Sequence, residues 1–255
     1  VIAVILAGGR GSRLAEETSI RPKPMIDIGG RPLIWHVMQA YARHGICEFV
    51  ICCGYKGEQI KEYFAHYHLH ASSVTFDLGR NVVETHESST EPWRVTLVDT
   101  GEDTMTGGRL RRVRRFVQDQ EAFCFTYGDG VADVDVTALV AHHQASGKLG
   151  TVTGVRPPGR FGALQVEGDS VVRFAEKPAG DGGWINGGFF VLAPEVIDRI
   201  EGDHTVWEHE PMSGLAATGQ LGVFRHHGLW CPVDTLRDKE HLLDLWQAGK
   251  IPWKS

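Results

Sequence analysis

The chain opens on an unbroken apolar run, Val1-Ile2-Ala3-Val4-Ile5-Leu6, that ends in Ala7-Gly8-Gly9-Arg10-Gly11-Ser12-Arg13. A short run rich in β-branched residues and stopped by glycines predicts a strand buried on both faces, as in a parallel sheet covered by helices. Glycines at its carboxyl end let the backbone approach an anion and turn successive N–H groups toward it. Open α/β sheets bind their ligands at this end. Arg10 and Arg13, with Lys23 a short loop later, make the expected ligand strongly anionic, and a nucleoside triphosphate fits.

Strand and helix patterns alternate after this opening. Pro32 starts a helical stripe of Leu33, Ile34, Val37, Met38 and Tyr41 that stops at Gly45. Phe49 to Cys53 is a second buried strand, and Ile60, Tyr63 and Phe64 mark a second helix. A β-α-β-α order implies an α/β fold with a parallel sheet and right-handed crossovers. Residues 67–100 break the rhythm. There Val74–Leu78 and Asn81–His86 flank a Gly79-Arg80 turn as a hairpin, and Trp93–Thr100 forms another strand. This stretch reads as an insertion that is either surface decoration or a subunit contact. Further strands are expected over Phe123–Tyr127, Thr151–Val155, Gly187–Leu192 and Leu221–Arg225, with a hairpin of Ala163–Glu167 and Val171–Ala175. Asp135 and the Thr235-Leu236-Arg237-Asp238 box predict two helix starts.

The 255 residues, 42% of them apolar, suit one large α/β domain over 1–255. A net charge of -6 argues against a general nucleic-acid binder. No apolar stretch reaches the length of a membrane span, and no signal-type segment starts the chain, so a cytoplasmic protein is expected. Cys47, Cys52, Cys53, Cys124 and Cys231 lack C-x-x-C spacing and pair into no disulfide framework. Reduced cysteines in apolar runs act as small hydrophobes.

Two familiar phosphate cradles are excluded. No G-x-x-x-x-G-K-[ST] loop occurs, and Leu14 stands where a dinucleotide fingerprint needs its third glycine. What remains is G-G-x-G-[ST]-R followed by Pro22-Lys23-Pro24, whose rings limit where the ammonium can reach. A preorganised lysine suits the charge that develops on a phosphoryl group. Asp129, between Gly128 and Gly130 after a buried strand, is placed either for a magnesium ion shared with phosphates or for a simple turn. A second carboxylate would discriminate, and Asp234 is a candidate, because Thr235 fits the helix-cap slot better and leaves Asp234 available. Glu176, Lys177 and Asn186 offer the acceptors and donors that sugar hydroxyls and an anomeric phosphate require.

The order of these motifs resembles the sugar-1-phosphate nucleotidyltransferase family over nearly the whole chain. The motifs are G-G-x-G-[ST]-R, P-K-P, a strand-end G-D, Phe161-Gly162-Ala163-Leu164, Glu176-Lys177-Pro178, Asn186-Gly187-Gly188 and a late Asp. Cys52-Cys53-Gly54-Tyr55-Lys56-Gly57, Glu91-Pro92-Trp93 and Met105-Thr106-Gly107-Gly108-Arg109 are similar to its cytidylyl-transferring branch. The resemblance implies a Rossmann-like three-layer domain with a mostly parallel mixed sheet, a small β-hairpin insertion and a sugar-binding portion. It implies that CTP and α-D-glucose 1-phosphate condense to CDP-glucose and pyrophosphate with Mg2+, feeding deoxysugar and surface-polysaccharide (O-antigen) synthesis. UTP, dTTP or another hexose 1-phosphate is the alternative. Leu6, Ala7, Gly8, Gly9, Arg10, Gly11, Ser12 and Arg13 would wrap the nucleotide. Lys23 would contact the phosphates, Thr104 and Arg109 the cytidine end, and Gly128 the ribose. Asp129 and Asp234 would hold the metal, and Glu176, Lys177 and Asn186 the sugar phosphate. Arg13, Lys23 and Asp129 carry the implied catalysis, in a homo-oligomer. Ser12 replaces a common Thr, and Arg10 stands where an aliphatic residue is usual.

Overall fold

A computed structural model describes residues 1–11, 14–157, 163–167, 170–175 and 183–253. Its frame is a seven-stranded sheet. The strands are β1 (Ala3–Ala7), β2 (Glu48–Cys53), β3 (Arg94–Asp99), β4 (Phe123–Tyr127), β5 (Gly150–Val155), β6 (Ile185–Leu192) and β7 (Leu221–Arg225). They lie in the order β7-β5-β6-β4-β1-β2-β3. β6 runs antiparallel to both of its neighbours, and every other pairing is parallel. The expected mostly parallel, mixed sheet is therefore the observed one.

The opening apolar run is continuous because β1 is covered on both faces. Ala3, Ile5 and Ala7 join one core with Phe49, Ile51, Cys124 and the Leu33–Ala42 helix. Val4 and Leu6 point into a second core with Val50, Phe125, Phe190 and Trp207. Helices on both faces give the three layers. Burying each large aliphatic side chain contributes about 2 kcal/mol.

Local signals place the helices as predicted. Asp135 caps the Val136–Ser146 helix by accepting from the Ala138 N–H at 2.9 Å, and Gly147 closes it at φ 61°. Thr235 and Asp238 form the reciprocal box that opens Leu236–Gln247. Trp253 anchors the chain's end by donating its indole N–H to His36 Nδ1 at 3.2 Å.

The expected insertion is smaller than 67–100. Residues 67–70 finish the Gly57–His70 helix, and β3 belongs to the central sheet, parallel to β2. The inserted part is the hairpin of Ser72–Asp77 with Val82–Ser88. The expected strand over Trp93–Thr100 is β3, and it reads as part of the insertion because it is an edge strand with side chains only half covered. The second expected hairpin pairs Ala163–Glu167 with Ser170–Ala175.

Candidate active site

The carboxyl ends of β1, β2 and β4 meet at one place because the three strands run parallel and adjacent. A cleft of about 320 Å³ opens there. Leu6, Ala7, Gly8, Gly9 and Gly11 line it from β1 and its loop. Lys23 and Pro24 line a second side, Thr104, Met105, Thr106 and Arg109 a third, and Tyr127, Gly128 and Asp129 the end of β4. Residues spread over 124 positions of sequence thus share one cavity of ligand size.

Backbone packing at the end of β4 leaves no room for a side chain at Gly128. A Cβ on Gly128 would lie 2.8 Å from the Leu6 carbonyl oxygen, to which Gly128 N–H donates at 2.8 Å. Gly11 holds φ 62°, and the Thr18 hydroxyl donates to its carbonyl at 3.1 Å. This fixes the far end of the glycine-rich loop. Ser12 and Arg13 lie outside the described residues.

Lys23 sits in a short 3-10 turn, Lys23–Met25, and is buried. Its ammonium donates to Asp129 Oδ2 at 3.0 Å and to Asp234 Oδ1 at 2.7 Å. A two-stranded ladder brings those carboxylates together, pairing Gly130–Ala132 with Trp230–Pro232. Val233 N–H then donates to the Asp129 carbonyl at 2.9 Å. Thr235 does the capping, and the Asp234 side chain meets the Lys23 ammonium. Two carboxylate oxygens converging on one cation suit a hard divalent ion. Among the described residues no cluster of three or more His, Cys, Asp or Glu forms a metal cage. Mg2+ needs none, since it is commonly bound by one or two carboxylates together with substrate phosphates.

Arg109, expected at the cytidine end, lines the cleft and also ties its walls together. Nη1 donates to Thr100 Oγ1 at 2.8 Å, Gly101 O at 2.7 Å and Cys53 O at 3.3 Å. Nη2 donates to Gly8 O and Glu102 O, both at 3.0 Å. The guanidinium is a brace between the glycine-rich loop and the 100–104 loop. Burial lowers its pKa, and backbone carbonyls supply the compensation. A Cβ on Gly8 would lie 2.1 Å from Arg109 Nη1, and one on Gly54 2.3 Å from it. Both glycines make room for the brace.

Arg10 also departs from expectation. Its guanidinium turns from the cleft to Glu102 Oε1 at 2.9 Å and Asp103 Oδ1 at 3.1 Å. Arg10 is not among the residues that line the cleft. Asn186, the second residue of β6, accepts from Gly188 N–H at 2.8 Å, while Glu176 and Lys177 lie outside the described residues.

Sequence reasoning missed Thr106 and Tyr127 as cleft residues. Thr106 Oγ1 donates to Glu208 Oε2 at 2.7 Å, and the Tyr127 hydroxyl donates to Glu208 Oε1. Burial, with Glu208 beside it, raises the Tyr127 pKa far above its usual value. Tyr127 directly precedes Gly128 and could have been read from that position. Glu208 has no local signal.

The nucleotidyl transferase family profile matches residues 2–218. The chain belongs to the nucleotidyl transferase family. This nucleotidyltransferase is 59% identical over 253 residues to the glucose-1-phosphate cytidylyltransferases of Salmonella typhi and Salmonella typhimurium, covering 99% of this chain and 98% of each of those. Its fold is shared with HddC from Yersinia pseudotuberculosis, at a TM-score of 0.70 and 22% identity over 95% of this chain and 97% of that one. Among the described residues no helix is long and apolar enough to cross a membrane.

Proposed function

We propose that this nucleotidyltransferase condenses CTP with α-D-glucose 1-phosphate to CDP-glucose and pyrophosphate. The full-length 59% identity to cytidylyltransferases carries the choice of substrates. The convergence of Lys23, Asp129 and Asp234 at the end of the glycine-rich loop supports the chemistry.

A phosphate oxygen of the sugar phosphate attacks the α-phosphorus in line, and pyrophosphate leaves with the electrons of the bond to the bridging oxygen. The attacking group is already an anion, so no general base is needed. The protein's work is to align two anions that repel each other and to neutralise the transition state. Backbone N–H groups of Gly8, Gly9 and Gly11 bind phosphate oxygens. Lys23 supplies a positive charge held in place by burial, and Arg13 a second one. Mg2+ at Asp129 and Asp234 would supply further neutralisation of the triphosphate. Thr104 and Gly128 wall the nucleoside, and Asn186, Glu176 and Lys177 bind the hexose phosphate. CDP-glucose would feed deoxysugar and surface-polysaccharide synthesis.

The hairpin leaves Phe76, Leu78, Val82 and Val83 between 44% and 89% exposed, which supports a homo-oligomer formed through it. All five cysteines are free, in keeping with a reducing cytoplasm. Pyrophosphate release with Mg2+, glucose 1-phosphate and each of CTP, UTP, ATP, GTP and dTTP tests the reading. Turnover is expected to be greatest with CTP, and preferred use of another triphosphate refutes that choice.

A further inference from the structure

The cleft's nucleoside wall is tied to the glycine-rich loop at two levels. Deep down, Arg109 Nη2 takes both Gly8 O and Glu102 O at 3.0 Å. At the surface, Arg10 reaches from the same loop to Glu102 and Asp103 at 2.9 and 3.1 Å. Those acids immediately precede Thr104 and Met105, which line the cavity. The Arg10 guanidinium also lies 5.8 Å above the Tyr55 ring. Tyr55 is itself fixed, its N–H donating to Gly8 O at 3.1 Å and its hydroxyl to Thr18 O at 3.3 Å. Arg10 therefore lies over a ring that is tied to the glycine-rich loop from the end of β2, and its charge is directed at the opposite wall.

We propose that Arg10 is a positioning residue for nucleotide binding: an ionic clasp to Glu102 and Asp103 that holds the 101–105 wall against the glycine-rich loop. The inference rests on the cytidylyltransferase reading only for the choice of CTP as probe. The two ties differ physically. The Arg109 brace is buried, and water and salt do not reach most of it. The Arg10 clasp is exposed, with side chains of Arg10, Glu102 and Asp103 at 59%, 53% and 89% exposure, so salt screens it. The mouth of the nucleoside pocket is thus closed by a weak, reversible contact above a permanent one. Arg10 acts through the acids, without touching the nucleotide.

This distinction gives opposite signs for one substitution. If Arg10 works as a clasp, neutralising its partners loosens the wall. If Arg10 binds the triphosphate itself, neutralising them frees a cation for the ligand and tightens binding. The test compares Arg10→Leu, the pair Glu102→Gln with Asp103→Asn, and the combined variant. KM for CTP and kcat are measured in pyrophosphate release between low and high KCl, and amide hydrogen exchange over 101–105 in the ligand-free proteins. Arg10→Leu and the acid pair are each expected to raise KM for CTP about threefold at low salt, mostly without loss of kcat. The combined variant is expected to add little, and the differences to shrink at high salt. Exchange over 101–105 is expected to quicken in all three. A lower KM in the acid-neutralised pair, or unchanged exchange in Arg10→Leu, overturns the clasp. Failure of the unaltered protein to use CTP would instead overturn the substrate reading and leave the exchange result to decide the clasp alone.

Discussion

Replacing Arg109 by Met separates a structural brace from a base-binding residue. The guanidinium serves five acceptors, and they are not equally dependent on it. Gly8 O keeps the Tyr55 N–H at 3.1 Å. Cys53 O keeps the Thr100 N–H at 2.9 Å and the Thr100 hydroxyl at 2.6 Å. The loss therefore falls on Gly101 O and Glu102 O, both part-buried. A hydrogen bond to a charged group is worth about 1.5–3 kcal/mol, and partial access to water puts these two at the low end. The expected loss of stability is about 3 kcal/mol, read from urea unfolding. CTP affinity, read by calorimetry, should fall about tenfold as the 101–105 wall loosens, which corresponds to about 1.4 kcal/mol. Arg109→Lys should do little better, because an ammonium cannot span carbonyls on two loops as the planar fork does. A variant of native stability that binds CTP more than a hundredfold worse would refute the brace. The guanidinium would then be a direct ligand of the nucleotide.

Other outcomes follow from the same geometry. Lys23→Met is expected to lower turnover by about 10²–10³ through loss of a preorganised cation at the phosphates, and a loss under tenfold in pyrophosphate release would count against it. Asp234→Asn should raise the Mg2+ concentration for half-maximal turnover by about tenfold or more, while Thr235 keeps the helix cap; an unchanged Mg2+ dependence removes Asp234 from the metal site. Gly54→Ala should destabilise by about 2 kcal/mol, since its Cβ would fall 2.3 Å from Arg109 Nη1 and 2.7 Å from Gly8 O. Paired with Arg109→Met the two costs should be less than additive in urea unfolding, and strict additivity would refute the clash. His36 is fully buried, and burial lowers its pKa to about 4 from 6.5. The unfolded chain then binds this proton more readily than the folded one between those values, so stability is whole above pH 6.5 and falls as pH drops toward 4. The contribution lost is about 3 kcal/mol. A His36→Gln chain with the same pH slope in urea unfolding would show that His36 is not its source.

Much of the site was legible because it depends on local pattern. The apolar run stopped by glycines told of a two-sided strand, and β1 is buried on both faces. Assigning the cap to Thr235 left the Asp234 side chain for another partner, and it meets Lys23. The edge strand β3 misled for a reason equally physical. One exposed edge gives it the mixed polarity of an inserted strand, so its place beside β2 shows only in the pairing.

What the sequence determined alone was the alternation of strands and helices, the glycine-rich turn, the isolated Lys23 and the helix caps. These rest on backbone preferences and on residues within a turn or two of one another. The tertiary structure decided which charge meets which. Asp129 and Asp234 meet at Lys23 across 106 and 211 positions, and Arg109 spans 101 to reach Gly8. Arg10 was expected at the nucleotide from its motif, yet acids 92 and 93 residues away claim it. An arginine's reach and charge are written in the sequence, but its partner is set by the fold, because electrostatic pairing depends on distance in space and on what water can reach.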